Sequence, residues 1–404
     1  MKIVAFAVLQ AEAILLPELS HAQCSRYVAT TGSNSPNDCK SSSSPCLTIA
    51  NADSVVSPGD TVCLASGTYP TASFSTMKSG TVSQRIRCTW YPQQWGAVLV
   101  GNSTGDGSAT WTSNGSYVDI VGFDVTAESS TISPAIGVLN YGKHVRVLGN
   151  RVHDFTTPCD GNGGAGIVDG SQTNGGYSQF NRNFVFNIQP AEVNGEPCWQ
   201  DGTPPPAGWN PPAIYLQSPY TSAMDNLTVN TAQGIAMWHD SFGEMIVSNS
   251  IRCSNNNGSP APYDHTIGID VGASGTTNNW TMLANNITDD CAYGINEESG
   301  TVGTENYYLV NDNYGSTYPM CRGAMCTGQI SGNQTFDPLF VNDTGDTSGN
   351  YLLQSTSQAV NGGANYSYAP FVDFEGGVRP DTSSNEWDMG AYEYGSSAGT
   401  WPWF

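Results

Sequence analysis

A chain of 404 residues with 45 Gly, 23 Pro and 12% charged residues has the length of one large domain or two to three ordinary ones, and 38% hydrophobic content suits a long, thin core. Asp and Glu outnumber Lys and Arg by 35 to 13, and the net charge of −22 argues against nucleic acid or an anionic membrane as partner. It also makes a polyanion an awkward substrate unless a bound cation mediates.

Residues 1–22 read MKIVAFAVLQAEAILLPELSHA. Lys2 opens a thin positive region, an apolar stretch interrupted by Glu12 follows, and Ser20 and Ala22 stand at −3 and −1 of a cleavage site. This predicts a cleaved secretory signal, a mature chain that starts at Gln23, and a secreted, extracellular protein, with a periplasmic or surface-associated one as the alternative. Gln23 before Cys24 makes a poor lipid-anchor box. No other stretch has the ~20 apolar residues of a membrane span. Eleven Cys fit an oxidising compartment. Their spacing predicts local pairs, Cys39–Cys46, Cys63–Cys88, Cys159–Cys198, Cys253–Cys291 and Cys321–Cys326, and leaves Cys24 over. None shows the paired spacing of a zinc site.

Two patterns alternate through the middle of the chain. In the first, Asn stands three residues after an apolar residue and two before another: VLGNRV (147–152), FNRNFV (180–185), IVSNSI (246–251), MLANNI (282–287) and VNDN (310–313). The second is a short apolar strand usually opened by Gly: AGIVDG (165–170), PAIYLQ (212–217), QGIAMW (233–238), IGIDVG (267–272) and YGINEE (293–298). Short β-branched strands, Gly/Asn turns and a repeat of ~20–35 residues predict an all-β solenoid, each coil closing its core against the next. The recurrent Asn then forms a ladder at a turn. Loops protrude between strands. The longest, from Gln189 to Pro212, carries Trp199, Trp209, Glu192, Glu196, Asp201 and three consecutive prolines from Pro204.

Three further stretches carry a resemblance. The opening YVATTGSNSPNDCKSSSSPCLTIANADSVVSPGDTVCLASGTY (27–69) resembles the cap and first coil of secreted right-handed parallel β-helix proteins of the pectin-lyase-like superfamily. GSYVDIVGFDVT (115–126) resembles their second-coil strand. DPLFVNDTGDTSGNYLLQSTSQAVNGG (337–363) with RPDTSSNEWDMGAYEY (379–394) resembles a choice-of-anchor-type terminal module, although Asn361 replaces a more usual Asp. The resemblance implies a signal peptide over 1–22, a capped right-handed parallel β-helix with protruding loops over 23–335, a C-terminal module over 336–394 and a tail over 395–404. It implies polysaccharide cleavage by lyase or hydrolase chemistry, or an adhesin-like role. No catalytic signature of one family is present, so none is carried over.

Alignment of the Gly-opened strands on Ile167, Ile214, Ile235, Ile269 and Ile295, with those residues facing inward, places Val168, Tyr215, Ala236, Asp270 and Asn296 outward, followed two positions later by Gly170, Gln217, Trp238, Gly272 and Glu298. Asp169 and Glu297 fall inward and break an otherwise apolar set. Aromatic rings beside carboxylates and amides suit a sugar, whose apolar face covers a ring while its hydroxyls need polar partners. Asp270 and Glu298, one coil and two positions apart, have backbones roughly 8 Å apart, within reach of the carboxyl spacing of glycoside hydrolysis. His239 and Asp240 follow at the strand end.

This face predicts acid/base cleavage of a neutral or weakly charged polysaccharide. Glu298 is the general acid and Asp270 the base or nucleophile, with Asp240 or His239 assisting and Trp238, Tyr215, Gln217 and Asn296 holding the sugar. Hydrolysis itself needs no cofactor. A lyase is the alternative. The chain has four Lys (Lys2, Lys40, Lys78, Lys143), none on this face, so elimination would rely on Ca²⁺ at Asp270, Asp240 and Glu298 with His239 or Tyr215 as base. A glycan-binding surface protein without activity is the third reading, and a monomer is expected in each case. Blander roles are a turn cap or structural Ca²⁺ ligand for Asp270, loop-covered core for Trp238, and a turn pair for His239-Asp240. Asp264-His265 reads as loop, and His153-Asp154 with Arg151 as a second polar cluster.

Overall fold

The computed structural model describes residues 23–71, 74–101, 108–128, 135–157, 163–170, 176–193, 196–197, 210–254, 266–321, 326–366, 370–381 and 385–396. The predicted signal, the Cys159–Cys198 pair, Asp264-His265, most of the 189–212 loop and the final residues lie outside them. Three parallel sheets of 11, 9 and 9 strands run the length of the molecule. The chain visits them in rotation, as in Thr61–Ala65, Gly67–Thr71 and Phe74–Thr76, which belong to the first, second and third sheet. This is a right-handed parallel β-helix. A short helix, Ile49–Val55, packs near its start, N-capped by the Thr48 hydroxyl, which accepts from the Asn51 amide at 3.2 Å.

The third sheet contains the Gly-opened strands, and its register is the one read from sequence. Ile167 pairs with Ile214, Ile214 with Ile235, Ile235 with Ile269 and Ile269 with Ile295. All five are fully buried in the central core, each stabilising by about 2 kcal/mol. The glycine that precedes four of the five (Ala213 stands before Ile214) has a steric cause. A Cβ at Gly234 would stand 2.5 Å from Ile251 Cγ2 and 2.5 Å from the Gly268 carbonyl oxygen, so only Gly lets the corner close. The two inward acids have partners. Asp169 accepts from Asn140 Nδ2 at 2.9 Å and Thr221 Oγ1 at 2.8 Å, and Glu297 from Tyr308 Oη at 2.7 Å.

The Asn ladder stands at the turn from first to second sheet. Its rungs are Asn150, Asn183, Asn226, Asn249, Asn286, Asn311 and Asn333, each Nδ2 donating to the next Oδ1 at 2.8–3.2 Å. The apolar-to-Asn spacing misplaces two rungs. In MLANNI it selects Asn285, which binds Ala364 instead, and in VNDN it selects Asn313. It also passes over Asn226.

The disulfides correct one predicted pair. Cys39–Cys46, Cys253–Cys291 and Cys321–Cys326 form as expected, but Cys63 bonds Cys24 and leaves Cys88 free. Alternation is the reason. Cys88 pairs in register with Val62 and shares its inward face, so Cys63, one residue on, points away from it. Burial pushes the Cys88 thiol far above its ordinary range.

The residues of the expected C-terminal module pack on the second sheet. Phe340, Tyr351, Leu353, Phe374, Met389 and Tyr392 cluster with Phe186, Leu227, Val229 and Ile287 of the shaft. The DMGAYE stretch makes the closest contacts: the Gly390 amide donates to the Asn285 carbonyl at 2.7 Å, and the Ala391 amide to Ser250 Oγ at 2.9 Å. Fully buried Arg379 donates to the Gly390 and Asp388 carbonyls and to Glu393, and pairs with Asp225 of the shaft at 3.4 Å. No helix among the described residues is long and apolar enough to cross a membrane.

Candidate active site

On the outer face of the third sheet, the column that begins with Ser75 and Thr112 is apolar in its middle coils and polar again at Asp270 and Asn296. Leu139, Val168, Tyr215 and Ala236 form an apolar patch with Trp238 packed against it. One coil further, the same column turns to Asp270 and Asn296, which pair in register. The change is local, because each coil adds one residue to the column and nothing else alters.

Asn296 joins the two candidate carboxylates. Its Nδ2 donates to Asp270 Oδ1 at 2.9 Å and approaches Glu298 Oε1 at 3.4 Å. Two oxygens this close to one nitrogen are at most about 6 Å apart, below the wider spacing that admits a water between carboxyls and near that of a nucleophile pair. Asp270 is 8% exposed. Burial first, and then the charge of Glu298, push it up to about 8 despite the Asn296 hydrogen bond. Burial also raises Glu298, which remains half-buried. The pair therefore titrates together and holds a proton at neutral pH.

Trp238 flanks this pair across Gly272. A Cβ at Gly272 would lie 2.7 Å from Trp238 Cε3 and Cζ3 and 3.1 Å from Glu298 Cβ. The indole thus fills the space of the missing side chain and ends beside Glu298. Tyr215 lies deeper, 7% exposed. Burial pushes its hydroxyl well up, a hydrogen bond with Gln217 opposes this, and the Asp270 charge adds to the rise. His239 opens the following turn with a positive φ of 58° and its ring centroid 6.3 Å from that of Tyr215. Burial lowers its pKa, which the neighbouring Asp240 offsets in part.

Asp270, Asn296, Glu298 and Trp238 are thus gathered into one cluster, Tyr215 with Gln217 stands two coils away in the same column, and His239 and Asp240 follow in the turn after Trp238. The His153 cluster stands elsewhere, on the second sheet. His153 Nδ1 meets Asp154 at 2.7 Å, Nε2 meets Asp124 at 2.7 Å, and its ring stacks on Phe186 at 4.6 Å. Burial lowers its pKa, but the hydrogen bonds to both aspartates outweigh this and raise it. Arg151 pairs with Asp124 in the same network.

Two groups among the described residues have three metal-type ligand atoms within 4.8 Å: Glu297 with the disulfide-bonded Cys321 and Cys326, and Asp289, Asp290 and Asp343. Arg252 pairs with all three of these aspartates. Asp240, Asp270 and Glu298 do not converge in this way. The donor set expected for a Ca²⁺-bound uronate does not fit as it stands.

No protein-family model matches the chain, and no curated protein matches it in sequence. In three dimensions it resembles pectate lyase Pel9A, at a TM-score of 0.60 and 16% identity over 92% of this chain and 98% of that one. It also resembles a rhamnogalacturonan lyase, at 0.54 and 13% over 83% and 96%. An alginate lyase from Paenibacillus sp. str. FPU-7 follows at 0.50 and 18%, over 72% and 97%. At these identities the likeness establishes the pectin-lyase-like β-helix fold.

Proposed function

We propose that this protein is a secreted carbohydrate-active enzyme that cleaves glycosidic bonds of a neutral or weakly charged polysaccharide by acid/base hydrolysis. The observation that carries the reading is the Asp270–Asn296–Glu298 cluster, two carboxyls on one amide beside an indole. Sequence alone favours Glu298 as the acid. Burial supports the opposite roles: Asp270 is the more deeply buried carboxyl, so the reading assigns it the proton that the pair shares. Asp270 then protonates the leaving oxygen, and Glu298, the more exposed, acts as nucleophile or base. Trp238 carries the apolar face of the sugar.

Asp270→Asn and Glu298→Gln are each expected to lower kcat at least about 1,000-fold while far-ultraviolet circular dichroism stays unchanged. Full activity in both variants would overturn the assignment.

One observation favours a second reading. Burial keeps His239 neutral in the turn after Trp238, which suits a base for β-elimination. No Lys or Arg stands among the described residues of the outer columns to neutralise a uronate. Elimination is therefore the weaker reading, and unsaturated products would reveal it.

A further inference from the structure

Close to the turn that carries Trp238 and His239 lies a carboxylate that the proposed reaction does not use. Glu244 is fully buried, just before strand Met245–Val247. Its Oε1 accepts from Ser241 Oγ at 2.8 Å, and its Oε2 from Thr281 Oγ1 at 2.6 Å and Asn278 Nδ2 at 3.3 Å. The Asn278 amide group also approaches the carbonyls of Ser241 at 3.2 Å and Gly272 at 3.4 Å. The Asn278 backbone amide donates to the Thr301 carbonyl at 2.9 Å, and Thr301 Oγ1 donates to the Glu298 carbonyl at 2.8 Å.

The Glu244 carboxylate thus joins two successive turns directly, the one that carries Trp238, His239 and Asp240 and the one that opens at Gly272, and Asn278, held by that carboxylate, extends the connection through its backbone amide to Thr301 in the turn that opens at Glu298. These turns bear the residues that surround the proposed sugar site. The choice of side chain follows from hydrogen-bond chemistry. Donors converge on both oxygens of Glu244, and a carboxylate accepts at both ends whereas Gln accepts at one. A buried carboxylate without a cation is costly. Hydroxyls and an amide offset that cost only in part, and burial still pushes Glu244 up to about 7, so its role is tested at pH 8, where the carboxylate form prevails. The other titratable group close to it is Tyr220, whose pKa the Glu244 charge helps raise.

We infer that Glu244 is a positioning residue that fixes the spacing of Trp238, Gly272 and Glu298, and so sets affinity for the sugar without touching it. The inference rests on the carbohydrate reading above.

The test is Glu244→Gln, assayed on whichever polysaccharide the wild type cleaves, at a temperature where both proteins are fully folded. The amide presents an N–H to a donor at one end of the network. KM is expected to rise about tenfold while kcat changes less than about threefold, the signature of lost uniform binding. Asp270→Asn moves kcat instead. Should Glu244→Gln fail to fold, Thr281→Val removes one donor and is expected to raise KM about threefold. An unchanged KM in the folded variants overturns the inference and leaves the enzyme reading intact. A wild type that neither binds nor cleaves any polysaccharide overturns both.

Discussion

Asp270 shows how burial gives one residue of a repeating column its chemistry. Its column neighbours Val168, Tyr215 and Ala236 are apolar and cost nothing to bury, whereas its carboxyl must give up its charge or find a partner. Its folded pKa, about 8, lies above the unfolded value. The stability it contributes is therefore full below about pH 4 and is lost as pH rises towards 8. Asp270→Asn keeps an oxygen for the Asn296 amide and removes the ionisation. Thermal unfolding should show the smallest offset between variant and wild type near pH 3, and the variant gaining on the wild type by about 2 kcal/mol or more between there and pH 9. Equal offsets at both pH values would contradict the burial argument. The outward positions of Asp270, Asn296, Glu298 and Trp238 were legible in the sequence, because side chains alternate along a strand whose inward Ile is identifiable. The division of labour between the carboxyls was not, since it depends on burial depth. Glu244 gave no signal at all: its partners Asn278 and Thr281 are 34 and 37 residues away, and nothing in SFGEM predicts them.

The Asn ladder is the element that ties coil to coil outside the sheets. Asn249 donates to the Ala223 carbonyl at 3.0 Å and to Asn286 Oδ1 at 2.9 Å, and accepts from both the backbone and side-chain amides of Asn226. Asn249→Ala leaves these buried groups unpaired and should cost about 2–4 kcal/mol in denaturant unfolding. Asn333, at the half-buried end of the ladder, should cost about 1 kcal/mol, because water replaces what it offers. Equal losses at the two positions would argue that the rungs act separately from burial. Sequence revealed that a ladder exists but shifted two rungs. Where Asn occurs twice in succession, or nearly so, as at Asn285-Asn286 and Asn311–Asn313, spacing cannot tell the residue that points inward from the one in the turn.

On the scale of the whole molecule, the shaft is a long, thin core closed by disulfides and covered on its second sheet by the C-terminal residues. Arg379 is the hinge of that docking, fully buried among Asp225, Glu393 and two carbonyls. Arg379→Ala strands two buried carboxylates and should lower stability by about 3–5 kcal/mol, with limited proteolysis entering residues 337–396 before the shaft. Shaft and terminal segments that unfold together in the variant would contradict a separately docked unit. An all-β solenoid was legible from repeat length and Gly-opened strands, and its form as a right-handed parallel β-helix from the resemblance of the opening and closing segments. The Cys24–Cys63 bond was not, because sequence proximity favoured Cys88 while strand register turned that thiol inward. The same alternation along a strand that separates Cys63 from Cys88 underlies the placement of the proposed catalytic pair. The most direct test of that placement is a panel of neutral and uronate-containing polysaccharides, with and without Ca²⁺, that reads reducing ends and the ultraviolet absorbance of unsaturated products together. Hydrolysis at Asp270 and Glu298 predicts reducing ends from a neutral polymer, no absorbance, no dependence on Ca²⁺, and loss of the signal in Asp270→Asn. Absorbance that disappears on chelation, or reducing ends undiminished in that variant, would contradict it.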